Sequence, residues 1–125
     1  MANFENTTEL TFEAGAAVPQ YRFVILNASG QAIVATAASE AIGISMNAAA
    51  AAGDELNVAS VSAGGKAPIE ASAAITLGDN VGVAASGKAR TAATSDHIIG
   101  TCLQAAAADE DIVTLFIDKK ITVSA

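Results

Sequence analysis

A chain of 125 residues with a formal net charge of −7 is long enough for one modest hydrophobic core. Its six basic residues are scattered rather than clustered, which argues against nucleic-acid binding, and no apolar run approaches the ~20 residues that a membrane-spanning helix needs. We therefore expect neither a nucleic-acid nor a membrane partner. The first residues lack the basic-then-apolar layout of a signal peptide, so we expect synthesis in the cytoplasm.

The apolar fraction of 52% overstates the available core, because much of it is alanine. Burial stabilises in proportion to apolar area, at roughly 25 cal/mol per Å². Large rings are few: the aromatic residues are Phe4, Phe12, Tyr21, Phe23 and Phe116. Such a thin core would gain from an oligomeric partner that buries more surface, so we predict an assembly.

The N-terminal segment, residues 1–12, is predicted to be an arm, within which Thr7 to Phe12 could form a strand. Phe4, Leu10 and Phe12 are apolar side chains in this otherwise polar segment. They would either cover the bottom of the folded domain or contact a partner or sister protomer. The residues alone leave both interpretations open.

The next segments predict a β-hairpin. Tyr21 to Leu26 is rich in aromatic and β-branched residues, Asn27 to Gly30 supplies turn residues, and Gln31 to Ala35 returns as a second strand. In Ala41 to Met46 the alternation predicts a further strand.

The alanine run Ala48 to Ala52 favours helix by propensity, but it is too short for an independent helix of roughly 12–15 residues. We predict a turn or a single helical turn there. Glu55 to Ser62 resumes the alternation of a strand, and Ala63 to Pro68 is predicted to be a linker.

The following segments repeat this plan. Short strands are predicted at Ile75–Leu77, Val81–Val83, Ile98–Leu103 and Ile112–Ile117, with turns at Gly78-Asp79 and Ser86-Gly87. Ile121–Val123 is predicted to be either a last short strand or a tail. Many short strands separated by turn residues are typical of an all-β sandwich or small barrel with little helix.

The chain contains an internal repeat. Ile42-Gly43 returns 57 residues later as Ile99-Gly100, and Ser29-Gly30 returns at the same offset as Ser86-Gly87. We therefore predict one β domain over residues 13–125, built from repeats 13–59 and 70–116, since a unit of about 50 residues is marginal alone.

One succession of segments resembles the sequence pattern of a known family. It consists of Ala73 to Val83, Ser86 to Ala89, Ile99-Gly100, an alanine run and a β-branched strand. It is similar to the alanine- and glycine-rich capsid decoration, or cement, proteins of tailed bacteriophages. The resemblance covers about Ala14 to Ile117 in both repeats, whereas residues 1–12 do not align with it.

The resemblance implies a compact β-barrel-like protein on the outer surface of the mature capsid. It also implies a homotrimer at three-fold and quasi-three-fold positions, where it would clamp neighbouring major capsid protein subunits. Phe4, Leu10 and Phe12 are then candidates for capsid or protomer contact. The family offers no catalytic residues to carry over, and no cofactor is expected.

Reactive side chains are scarce. His97 is the sole histidine and is interpreted as an exposed loop residue, and Cys102 as a small residue in a buried strand at the position of Ser45. With one cysteine and one histidine, the chain alone cannot form a structural zinc site.

Two further patterns have simple structural interpretations. Asp54-Glu55 and Asp109 to Asp111 are interpreted as solvated acidic turns, with a cation shared between subunits as the alternative. Gly64-Gly65-Lys66 lacks the full phosphate-loop pattern and is interpreted as part of the linker.

The leading hypothesis is a non-enzymatic capsid decoration protein of the virion. The alternative is a head-fibre or surface module that binds a glycan or receptor, which the few aromatic residues disfavour.

Overall fold

The computed structural model describes residues 9–37, 41–60, 66–92, 98–103 and 111–117. Within them the chain forms ten strands: β1 Glu9–Glu13, β2 Phe23–Leu26, β3 Ala32–Val34, β4 Gly43–Ser45, β5 Glu55–Ser60, β6 Lys66–Glu70, β7 Asn80–Val83, β8 Ala89–Thr91, β9 Gly100–Cys102 and β10 Ile112–Ile117. The helix in these segments is one 3-10 turn at Ala85–Gly87, and no helix among them is long and apolar enough to cross a membrane.

The strands form two antiparallel sheets of the same topology. The first half, β1 to β5, has the order β1-β5-β4-β2-β3, and the second half, β6 to β10, has the order β6-β10-β9-β7-β8. Every strand of the second half begins 57 residues after its counterpart in the first. The predicted all-β class with little helix is confirmed, and the architecture is sandwich-like.

Each sheet curls until its two edges approach at one point. Ala14, directly after β1, forms a parallel bridge with Ala32 of β3, and Ala71 forms the equivalent bridge with Ala89. Among the described residues, this single bridge is the strand pairing between the two edges, so neither sheet closes into a complete barrel.

The β2–β3 hairpin follows from its turn chemistry. The Asn27 side chain accepts hydrogen bonds from the backbone N–H groups of Ser29 and Gln31, both at 2.9 Å. Gly30 has a φ of +80°, in the left-handed region that glycine adopts without steric cost. The sequence-predicted hairpin is therefore confirmed.

The repeated Ile-Gly pair has a packing explanation. A Cβ atom on Gly43 would overlap the Ala59 carbonyl and the Val58 side chain, and one on Gly100 would overlap the Phe116 carbonyl. In both halves the fourth strand therefore lies so close to the fifth that a side chain is excluded.

Two apolar clusters form the interior. The smaller one belongs to the first half alone and comprises Ala14, Val18, Val24, Ala32, Ala49, Leu56 and Val58. The larger one joins both halves, since Phe23, Ile44 and Ala59 of the first lie in it with residues such as Ile69, Val81 and Leu115 of the second. The two sheets thus share a core.

The halves are also joined by polar contacts around Arg22. Its guanidinium donates to Glu70 and, at 3.1 Å, to the Ser86 carbonyl. The Glu70 backbone N–H donates to the Tyr21 carbonyl at 3.0 Å. Tyr21 has a φ of 63°, so β2 begins at Phe23 rather than at Tyr21 as the sequence predicted.

Two other sequence-based boundaries were wrong. The predicted linker Ala63 to Pro68 overlaps β6, which begins at Lys66. The segment Ile75–Leu77, predicted to be a strand, begins with the buried Ile75 and then enters a turn. The turn is closed by the Asp79 N–H, which donates to the Thr76 carbonyl at 3.0 Å. For the alanine run the sequence predicted a turn or a single helical turn. The structure has the turn, and Ala49 within it forms an isolated bridge with Val18.

Candidate contact surfaces

The described part of the predicted arm, residues 9–12, lies within β1 of the first sheet. β1 pairs with β5 along its full length, with Leu10 opposite Val58 and Phe12 opposite Leu56. Phe12 packs against the smaller apolar cluster, whereas Leu10 is 45% exposed. Phe4 lies outside the described residues. Leu10 is therefore the described arm residue with apolar area to offer a partner.

Of the two candidate reactive residues, Cys102 lies in the described part of the chain. Cys102 is buried in β9, at the place that buried Ser45 holds in β4, as predicted. Ser45 donates through Oγ to the Pro19 carbonyl at 2.7 Å, so a small polar side chain is accommodated there. His97 lies outside the described residues. Among those that are described, no group of His, Cys, Asp or Glu could hold a metal ion.

The acidic turn of the first half is held by its own backbone. Asp54 Oδ2 accepts hydrogen bonds from the N–H groups of Ala50 and Ala51, at 3.1 and 3.2 Å. In the second half Asp111 is exposed, while Asp109 and Glu110 lie outside the described residues. Lys66 begins β6, and Gly64-Gly65 lies outside the described residues as well.

An exposed apolar surface on the second sheet was missed by the sequence analysis. We call it the Phe116 face, formed by Pro68, Leu103, Ile112 and Phe116. Ile112 and Leu103 are each 45% exposed and Phe116 is 43% exposed. On β10 the exposed residues alternate with buried Val113, Leu115 and Ile117, so Ile112 and Phe116 point away from the core.

The strand register places these residues side by side. Phe116 is opposite Lys66 on β6 and Thr101 on β9. Thr114 is opposite Pro68, and the Leu103 N–H donates to the Thr114 carbonyl at 2.8 Å. The face therefore spans three neighbouring strands, β6, β10 and β9.

A family model described as phage cement protein matches residues 2–117. The chain belongs to the phage cement protein family. The resemblance noted from the repeated small-residue pattern is thereby confirmed, and membership places the chain among structural proteins of the phage head. The match begins at residue 2, so it includes the N-terminal segment that the resemblance left unaligned.

The fold of this cement family member is similar to that of a solved phage protein. That protein is the N base of the head fiber gp8.5 of bacteriophage phi29, known from a crystal structure. The two structures superimpose with a TM-score of 0.73 at 19% sequence identity. The match covers 93% of this chain and 98% of that one. At this identity the likeness concerns the fold alone. No curated protein matches the chain.

Proposed function

We propose that this cement family member is a non-enzymatic decoration protein that binds the outer surface of the mature capsid. There it bridges neighbouring major capsid protein subunits and stabilises the shell. The observation that carries the proposal is the family match over residues 2–117. The protein acts as a homotrimer at three-fold and quasi-three-fold positions of the virion, after synthesis in the host cytoplasm.

The mechanism is multivalent non-covalent contact. Each chain of a trimer presents the same surface, so several weak contacts act together once the first has formed, and the overall affinity exceeds that of any one contact. A rigid β scaffold suits this role, because a surface fixed in advance loses little conformational entropy on binding.

We assign the capsid or protomer contact of the N-terminal segment to Phe4, Leu10 and Phe12. Leu10 is the best supported of the three, because its side chain is exposed on an edge strand. Phe12 packs on the smaller cluster, so it contributes to binding indirectly, by holding β1 in its place in the sheet.

The test is co-sedimentation of the purified protein with undecorated mature capsids, with stoichiometry read from the pellet. We expect saturable binding at a fixed ratio to the major capsid protein and greater heat resistance of decorated shells. Leu10→Ser and a deletion of residues 1–8 should weaken binding without lowering the thermal midpoint. Leu26→Ser is the matched control, since Leu26 is 41% exposed on β2 of the same sheet.

Absence of binding to both procapsids and expanded shells contradicts the decoration function. Binding that leaves the heat resistance of the shell unchanged contradicts the stabilising role while retaining the location. Equal binding by the wild type and both N-terminal variants would assign the contact to another surface.

A second candidate function is a head-fibre or surface module that binds a glycan or receptor. It is supported by the fold similarity to the N base of a phage head fiber over 93% of this chain. Binding on a glycan array or to host cells, together with no saturable binding to capsids, would favour this candidate over decoration.

A further inference from the structure

The apolar character of the Phe116 face is not required by the fold. The first half builds the same sheet, yet the positions equivalent to Ile112 and Thr114 are Glu55 and Asn57, both exposed. Likewise Thr11, exposed on β1, is the counterpart of Pro68. One half therefore provides an internal control for the other, and the apolar residues of the second half need an explanation beyond folding.

The equivalent surface of the first half is partly covered by this same chain. Ile44 and Ala59 are fully buried in the cluster shared with the second half. Their counterparts are Thr101, half-buried, and Phe116, exposed. Within the described part of the chain, this region of the first sheet is thus covered, whereas the same region of the second sheet stays exposed.

This asymmetry follows from a head-to-tail arrangement of the halves. A Cβ on Gly87 would meet the Phe23 carbonyl at 2.6 Å, so the turn of the second half lies against the first. A Cβ on the equivalent Gly30 would meet nothing within 4 Å. If a two-fold axis related the halves, the turn of each half would contact the other half. In a head-to-tail arrangement one turn makes this contact, the other does not, and one face is left uncovered.

The charges of the Phe116 face suit contact between like-charged chains. Each chain carries a net charge of −7, so two copies repel one another least where the carboxylates at their contact are paired with basic side chains. The acidic residue that the register places beside Ile112 is Glu70, which is paired with Arg22 at 3.3 Å and Lys88 at 3.5 Å. The face also borders the contact between the halves, since Arg22 belongs to the first half.

We propose that the Phe116 face is a protomer interface, covered by a second copy of this chain. The inference rests on the homotrimer of the proposed function, for which it specifies the associating surface. It also accounts for the thin core, because Ile112, Leu103 and Phe116 leave apolar area that a second copy would bury.

The experiment measures the mass of the purified full-length chain by light scattering and sedimentation over a range of concentrations. The test variant combines Ile112→Glu with Phe116→Ala, the residue types that the first sheet carries at these positions. Leu26→Ser is the control for loss of an exposed apolar side chain elsewhere. Circular dichroism and thermal unfolding check that every variant folds.

We expect an oligomeric wild type and control, and a folded double variant near the mass of one chain, 12.3 kDa. The association constant should fall at least about 30-fold, as for loss of an interface hot spot. A second variant, Leu103→Ser, tests the same face from the residue that follows β9 if the double variant fails to fold.

A wild type that remains a single chain at all concentrations would overturn the inference, as would a folded double variant of unchanged mass. Loss of capsid binding by the double variant, with a single-chain wild type, would also overturn it and assign the face to the capsid. A wild type that associates through this face but does not bind capsids supports the inference and contradicts the proposed decoration function.

Discussion

Arg22 and Glu70 join the two halves of the molecule through a two-donor contact. Both Nε and Nη2 of Arg22 lie 3.3 Å from Glu70 Oε1, and the two side chains are only 15% and 16% exposed. Lys88 approaches the other carboxylate oxygen at 3.5 Å. A planar guanidinium can supply several donors in a fixed geometry, which a lysine at the same position cannot.

Replacing either partner of this ion pair should lower the free energy of unfolding. For Arg22→Ala we expect a loss of about 1–2 kcal/mol, because hydrogen bonds to charged groups are worth more than neutral ones. Urea unfolding of Arg22→Ala, Glu70→Gln and the double variant forms a double-mutant cycle that isolates the pair. Strict additivity of the two single effects would contradict the coupling.

The glycines of the repeated Ile-Gly pairs should be intolerant of any side chain. Gly43→Ala and Gly100→Ala each place a Cβ against a backbone carbonyl, so we expect each to cost about 3 kcal/mol. Gly78→Ala is the control, because Gly78 has a φ of +89° but open space around it, and its cost should be near the ~1 kcal/mol of a left-handed residue. Equal losses at all three sites would refute the steric explanation.

Gly87 and Gly30 form a matched pair that measures the contact between the halves. They hold the same position in equivalent turns, with φ values of +73° and +80°, so alanine causes similar backbone strain at both. Gly87→Ala should cost about 1–3 kcal/mol more than Gly30→Ala, because its Cβ would press on the Phe23 carbonyl and Val34. Thermal or urea unfolding of both variants gives the difference directly, and a difference near zero would contradict the close contact.

The thiol of Cys102 should be inert in the folded protein. It is 1% exposed, so a thiol reagent reaches it only after the structure opens. With a thiol reagent that releases a chromophore, we expect slow labelling of the native protein and rapid labelling in denaturant. The absorbance of the released chromophore measures both rates. Stoichiometric labelling within seconds under native conditions would mean that β9 is accessible.

Much of the fold could be predicted because it depends on local patterns and on a repeat. Asn27 and Gly30 identify the β2–β3 turn from their own chemistry, and alternation identifies Ile112–Ile117 as a strand. The 57-residue offset of Ile42-Gly43 and Ile99-Gly100 is also the spacing of all five strand pairs. The repeated residues are informative because Gly43 and Gly100 satisfy the same steric constraint.

The remaining features depend on neighbours that are distant in sequence. β6 was interpreted as a linker because of Gly64-Gly65 and Pro68, but it is an edge strand, where a missing N–H is tolerated. The contact of Arg22 with Glu70 spans 48 residues and leaves no local signal. Ile112 and Phe116 alternate with buried residues, yet the sequence does not reveal that their side of the sheet is uncovered.

The separate apolar cluster of the first half has a consequence for the order of unfolding. Its members, such as Val18, Leu56 and Val58, all belong to the first half, whereas the interior of the second half lies in a cluster shared with Phe23 and Ile44. Hydrogen exchange would therefore proceed through two openings of different free energy. The amide protons of β5 around Leu56 and Val58 would stay protected after those of the second half had exchanged, and refolding would begin from the N-terminal half.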